Sequence, residues 1–403
     1  MALFSSLKHR SFTLLWCGQT LSRLGDSLYR IALAWWVLEK TGSATAIGKV
    51  LVFSNVPLLL FLLVGGVAVD RFHKVKMMLV SDVVRGSVVM TIAFLSATQR
   101  LEVWHVYVAS TVFGTVNAFF HPAYTVIIPE IVAVESLPSA NSLTALSKQT
   151  ADIAGPTLGA AVITLGSTSL AFAMNGASFF ISASCLLPLL NLTTLGRLKK
   201  ESAGILQDLR DGLSIIVKSR WVWFTIIATG LGNLTLNGPL FVALPSLIKR
   251  DHHAGVDALS IAYSLLALGS VLAALWLGRS SLHRRRGLIG YGAWLVCGLS
   301  LILCGSSKSL AGVWLGTFLC GVMTMAFGLI WTHTLQELIP REALGRVSSI
   351  DLFGTYCMLP IGFGLSGWAS DLVGASMVFV ISGCAIVLLA ALGISQREIR
   401  QLD

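Results

Sequence analysis

The chain has 403 residues, of which 55% are hydrophobic and 12% charged, with a formal net charge of +10. Its mean hydropathy is +0.79. Soluble domains carry about 25% charged residues, so this composition excludes a soluble enzyme, a disordered chain and a nucleic-acid binder, and the surplus Lys and Arg read as the cytoplasmic loops of a membrane protein.

A spanning helix takes about 20 apolar residues. Apolar runs lie near residues 12–38, 45–69, 77–98, 103–128, 141–165 and 169–191. A polar stretch covers 192–219, and six more runs lie near 221–248, 258–278, 287–305, 310–335, 346–370 and 373–394. Barrel strands are about 10 residues of alternating polarity, and these runs are long and continuous. The prediction is an all-α membrane protein of twelve transmembrane helices in two six-helix halves, 1–191 and 220–403. The linker 192–219 places Leu206, Leu209, Leu213, Ile216 and Val217 on one face at helical spacing, as in an amphipathic helix lying along the inner surface.

With the N-terminus inside, 19 Lys and Arg fall in inner segments and 5 in outer ones. The positive-inside rule then sets both termini in the cytoplasm. Lys8-His9-Arg10 precede the first run with no small-residue cleavage site after a short core, so that run is read as a retained span. The seven cysteines all fall in apolar runs without a CxxC, so neither a disulfide framework nor a zinc site is expected. The halves echo each other: VIIPEIVAVESLPSANSL precedes the fifth run and LQELIPREALGRVSSI the eleventh, with Pro129 and Pro340 aligned. Such repeats mark transporters whose substrate site lies near mid-membrane.

Charges inside spans point to function. Gln19, Arg23, Asp26 and Arg30 are spaced by four, three and four, one stripe on the first helix. Asp26 lies roughly 20 Å from the inner end at 1.5 Å per residue. A carboxylate withdrawn from water takes up a proton more readily, which makes Asp26 the first proton-coupling candidate and Asp152 the second. The alternative for Asp26 is a permanent salt bridge with Arg23 or Arg30. Lys148 and Asp152 share the fifth run one turn apart. Asn117 and His121 on the fourth, and Asn233 and Asn237 on the seventh, have the same spacing. With Gln19, Arg23, Arg30 and Lys148 they form the candidate substrate contacts. Asp82 and Arg85, near the inner end of the third run, are read as structural support beside the gate at Asp70, and Asp351, early in the eleventh, as a gate partner.

The loop after the second run reads GGVAVDRFHKVK, with Gly65 and Gly66 suited to close packing and Asp70, Arg71 and Lys74 at the cytoplasmic end. It resembles the Gly-x-x-x-Asp-Arg signature of the major facilitator superfamily, with His73 where the family often has Gly. The second-half counterpart LGRSSLHRRRG keeps Gly278 and Arg279 without the acid. AGPTLGA in the fifth run, with Gly155, Pro156 and Gly159, resembles the family's motif C. Leu24-Gly25-Asp26, Pro129-Glu130, Ala140-Asn141 and Gly345-Arg346-Val347 are similar to the drug:proton antiporter group that includes macrolide-efflux proteins and the enterobactin exporter.

The resemblance implies two pseudo-symmetric six-helix halves in a bacterial inner membrane. It implies a cytoplasmic gate at Asp70 and Arg71 and an export-associated role for Gly155, Pro156 and Gly159, and Lys74, Asp82, Arg85, Arg346 and Asp351 complete the candidate gating set. It also implies proton-driven export of a bulky amphipathic small molecule, a drug or siderophore-like metabolite, by a monomer. Movement of a lipid is the alternative within transport, and a non-transporting receptor the alternative outside it. GxSxG, HExxH and GxxxxGK[ST] are all absent, so no enzyme activity and no cofactor are expected, and an ion gradient is the expected energy source.

Overall fold

The structure, a computed structural model, describes residues 4–191, 213–214, 216–217, 219–277 and 285–402, apart from the side chains at 63, 67, 70, 341–343, 345 and 346. The described residues form helices and no strand. In chain order the main helices are α1 (Arg10–Thr41), α2 (Ala44–Arg71), α3 (Lys74–Ala97), α4 (Val103–Ile131), α5 (Leu137–Leu165) and α6 (Thr168–Leu186). They continue with α7 (Arg220–Gly238), α8 (Val256–Leu277), α9 (Arg286–Ser306), α10 (Leu310–Leu338), α11 (Arg341–Cys357), α12 (Leu359–Val373) and α13 (Ala375–Ser395). Eight helical segments are long and apolar enough to cross a membrane among the described residues. Of the 192–219 linker only residues 213–214, 216–217 and 219 are described: Ile216 is buried whereas Leu213 and Val217 are exposed, and Leu206 and Leu209 of the predicted amphipathic face lie outside the described residues, as do Gly278 and Arg279.

Local chemistry explains the ends. Gly42 closes α1 in the left-handed region at φ 62° and its N–H returns to Leu38 O, a conformation glycine adopts without strain. Glu102 and His105 form a reciprocal capping box at the start of α4. Ser167 Oγ accepts from Leu170 N at 3.2 Å to start α6. The eleventh run, expected as one span, is instead two helices meeting at Met358, with Pro360 in the first turn of α12. Proline lacks the N–H and clashes one turn back. Past Pro239, the α7 helix continues with π-type turns at Pro239–Ala243 and Leu247–Asp251.

The chain divides into two compact units, Met1–Gly42 with Lys49–Arg197, and Ser43–Gly48 with Leu198–Asp403. In the first, α1 packs on α5 and α6, and α3 on α4 and α6. A Cβ on Gly25 would lie 2.4 Å from Ser178 Oγ of α6, and one on Gly155 2.4 Å from Ser27 Oγ of α1. These two glycines therefore let α6 and α5 close on α1 on either side of Asp26. In the second unit α9 packs on α10 and α13, α8 on α10, and α7 on α11, α12 and α13.

The predicted echo of Pro129 and Pro340 needs correction. Pro129 lies inside α4, whereas Pro340 is the N-cap of α11. The equivalent residues are the acids: Glu130 and Glu337 are each the penultimate residue of their helix, α4 and α10.

Candidate functional site

The α1 stripe meets different partners at each position. Arg30 pairs with Asp152 of α5 at 3.0 Å. Arg23 donates from Nη1 to the Thr144 carbonyl at 3.3 Å and lies 5.3 Å over the Tyr124 ring. Neither arginine takes Asp26. Its carboxylate accepts only from Asn175 Nδ2 of α6, at the outer limit of 3.5 Å, and no ion pair to it exists among the described residues. Asn175 is fully buried, so the α6 contact is fixed by packing.

Gln19, a candidate substrate contact, is only 5% exposed. Its amide donates to Asp82 Oδ2 at 3.3 Å and to Ser182 Oγ at 2.8 Å. Ser182 donates to the same Asp82 oxygen at 2.7 Å. Asp82 pairs with Arg85 one turn on. The Arg85 guanidinium also donates to Asn117 Oδ1 at 3.2 Å and lies between the Phe120 and Phe179 rings at 4.3 and 4.5 Å. Asp82 is 0% and Arg85 4% exposed. A buried charge is stable only when paired and hydrogen-bonded, and here both conditions hold. Gln19 and Asn117 thus belong to a closed polar network. His121 and Lys148, by contrast, are exposed on α4 and α5, and Lys148 makes no ion pair among the described residues.

In the second unit Asn237 Nδ2 donates to Asn233 Oδ1 at 2.9 Å, so the pair satisfies part of its own demand. Asp351 accepts from Trp331 Nε1 at 3.2 Å, and Trp331 meets Trp221 edge-on at 5.9 Å. The Asp70 and Arg346 side chains lie outside the described residues. Arg71 is exposed. Pro156 and Gly155 are buried in α5, and Gly159 lies in ordinary contact, with its Cβ position 3.4 Å from Leu28 Cα.

Two further clusters escaped sequence reasoning. Lys74, the first residue of α3, pairs with Glu130 at 2.8 Å. Arg286, the first residue of α9, pairs with Glu337. Each unit thus ties the start of one helix to the end of the next by an ion pair, although the cations differ and no common motif flags them. The other cluster surrounds Asp371, just past the 346–370 run. Its carboxylate accepts from Ser43 Oγ at 2.6 Å, from the Ala44 and Thr45 amides at 2.9 Å each, and from Arg250 Nη1 at 3.3 Å. Burial pushes this carboxyl up, but the Ser43 hydroxyl and the Thr45 and Ala44 amides outweigh it and hold the group at about 2. It caps α2, whose first amides would otherwise be unsatisfied.

Comparison with known proteins adds family information. The sequence model of the Major Facilitator Superfamily matches residues 15–358. Macrolide efflux protein A of Streptococcus pyogenes is 25% identical over 411 residues, covering 100% of both chains. Multidrug efflux pump Tap of Mycolicibacterium fortuitum is 24% identical over 396 residues, covering 94% of each. Among solved structures, a bacterial homologue of the iron transporter ferroportin in an inward-facing state superposes with a TM-score of 0.76 at 16% identity, over 96% of this chain and 99% of that one.

Proposed function

The chain belongs to the Major Facilitator Superfamily, and we propose that it exports a bulky amphipathic small molecule from the cytoplasm by proton antiport and alternating access. It is a multi-pass bacterial membrane transporter and not an enzyme. The names of its relatives, macrolide and multidrug efflux proteins, favour a drug-like substrate. The resemblance to the enterobactin exporter adds siderophore-like metabolites as the second class. On this reading the chain makes twelve spans in two halves joined by the 192–219 linker, sits in the inner membrane with both termini cytoplasmic, and works as a monomer.

The observation that carries the coupling assignment is the pairing pattern in the first unit. Asp82 and Asp152 each hold an arginine, and Asp26 holds none. A carboxylate already neutralised by a bound cation gains little from a proton. One held only by an amide changes its surroundings by a full charge when protonated, and so biases the equilibrium between access states. Asp26 is therefore assigned the proton and Asp152 a place in substrate or structural charge balance. Arg23, His121, Lys148, Asn233 and Asn237 remain the substrate-contact candidates. Gln19 and Asn117 are reassigned as positioning residues of the Asp82–Arg85 network. Asp70, Arg71, Lys74, Arg346 and Asp351 remain gate residues.

The test is transport by the purified chain in proteoliposomes carrying an imposed pH gradient, with a fluorescent cationic dye and a macrolide as substrates. Wild type is expected to move both against their gradients. Asp26→Asn is expected to lose gradient-driven accumulation at least tenfold while keeping substrate exchange, which needs no proton. Undiminished accumulation by Asp26→Asn would remove Asp26 from the coupling step.

A further inference from the structure

The inner ends of α2 and α3 and the middle of α4 line an open cavity of about 410 Å³. Phe72, Met77, Val80, Val84, Val116 and Phe119 give it an apolar wall. Ser81 also lines it, but its hydroxyl is spent on the Met77 carbonyl at 2.7 Å, so the wall asks for no hydrogen bond. Small-molecule pockets of about 300–1,000 Å³ place a few convergent polar groups inside, and among the described residues this one has none inside. Its polar groups stand at one end. Lys76 and His73 lie on its rim, with Arg71 next to Phe72. Lys74 is occupied by Glu130, whereas Lys76 and Arg71 make no ion pair among the described residues. His73 Nδ1 accepts from the Lys76 amide at 3.4 Å, which holds the rim in place at the start of α3. Phe72 and Val80, 66% and 60% exposed, open the cavity outward, so hydrocarbon has direct access to it.

An apolar concavity with a cationic rim that makes no ion pair among the described residues, on the side carrying the excess of Lys and Arg, matches one ligand class. Basic pockets between helices on the cytoplasmic side bind anionic head groups. We propose that this cavity holds one acyl chain of an inner-leaflet anionic phospholipid, with its phosphate at Lys76, as a resident lipid distinct from the exported substrate. The proposal needs only the membrane setting and stands whether or not Asp26 carries the proton. Because the chain leaves one hydrocarbon surrounding for another, the acyl contact supplies shape and the rim supplies selectivity. Each basic residue near the surface is expected to add about fivefold in preference for an anionic lipid.

The test is native mass spectrometry of the full chain in detergent, titrated with palmitoyl-oleoyl phosphatidylglycerol or the phosphatidylcholine of the same chains. Lipid-dependent thermal unfolding is followed in parallel. The expected result is one retained phosphatidylglycerol, bound at least fivefold tighter than phosphatidylcholine and not displaced by inorganic phosphate. Lys76→Gln, at an exposed position without an ion pair among the described residues, should bring the two lipids to within about twofold. Val80→Trp, which fills the mouth, should lower retention of both. Equal retention of the two lipids by wild type, or retention unchanged in both variants, would overturn the proposal. Displacement by millimolar inorganic phosphate would also overturn it, in favour of a free-anion site.

Discussion

At the scale of single residues, the first unit separates two kinds of acid. Asp82 is locked: it meets Arg85, Gln19 and Ser182. Breaking a buried pair from one side costs about 3–5 kcal/mol, because the remaining charge stays buried. Asp82→Ala is therefore expected to lower the thermal unfolding temperature in detergent by several degrees, and the double variant Asp82→Leu with Arg85→Met to recover most of that loss. A double-mutant cycle reads the pair directly. Asp26→Asn keeps the shape and the single contact to Asn175, and its unfolding temperature is expected to stay within about a degree of wild type, consistent with a cost under 1 kcal/mol. The Arg30–Asp152 pair is half exposed, its side chains 58% and 32% accessible, so it contributes little to stability. The spacing of Gln19, Arg23, Asp26 and Arg30 put them on one stripe from sequence alone. Which of them pair was not legible, because Asn175 and Ser182 reach α1 from α6, about 150 positions away in the chain, and no local pattern marks them.

At the scale of helices, boundaries were readable where apolar runs end in charges, glycine or a capping residue. The break at Met358 was harder to see, because the apolar pattern of 346–370 continues through it and only Pro360 betrays it. Gly155, Pro156 and Gly159 read as one motif, yet the packing divides them. A Cβ at Gly155 meets Ser27 at 2.4 Å, whereas one at Gly159 meets Leu28 at an ordinary 3.4 Å. Gly155→Ala is expected to push α5 off α1, with a loss of about 1–3 kcal/mol from overpacking. Gly159→Ala is expected to stay within about 0.5 kcal/mol of wild type. Thermal unfolding of the two variants side by side checks this, and equal losses would remove the distinction.

At the scale of the whole molecule, the helical membrane class was plain in the sequence because long apolar runs are sums over many residues. The matching end pairs, Lys74 with Glu130 and Arg286 with Glu337, were not plain, since each joins residues more than 50 apart and the cation changes identity. The Asp371 cap was equally hidden, because it joins residues 43–45 to a position over 320 residues later. With its carboxyl held at about 2 against about 3.9 in an unfolded chain, its contribution is complete above about pH 4 and lost only as pH falls through about 2. The Ala44 and Thr45 amides are therefore expected to stay protected from hydrogen exchange between pH 5 and 8 with no midpoint in that range, and Asp371→Ala to expose them at every pH. An inflection near pH 6 would contradict the assignment.

The pairing around α1 has a consequence for energetics. Arg23, Asp26, Arg30 and Asp152 sum to zero when Asp26 is ionised, and a single proton leaves the group at +1. One proton exchanged for a neutral substrate then moves net charge across the bilayer, and the cycle gains about 2.3 kcal/mol per 100 mV of membrane potential. Exchanged for a monovalent cation, the same proton moves none, and the cycle becomes indifferent to voltage. The electrical signature of transport would then report the charge of whatever this protein carries.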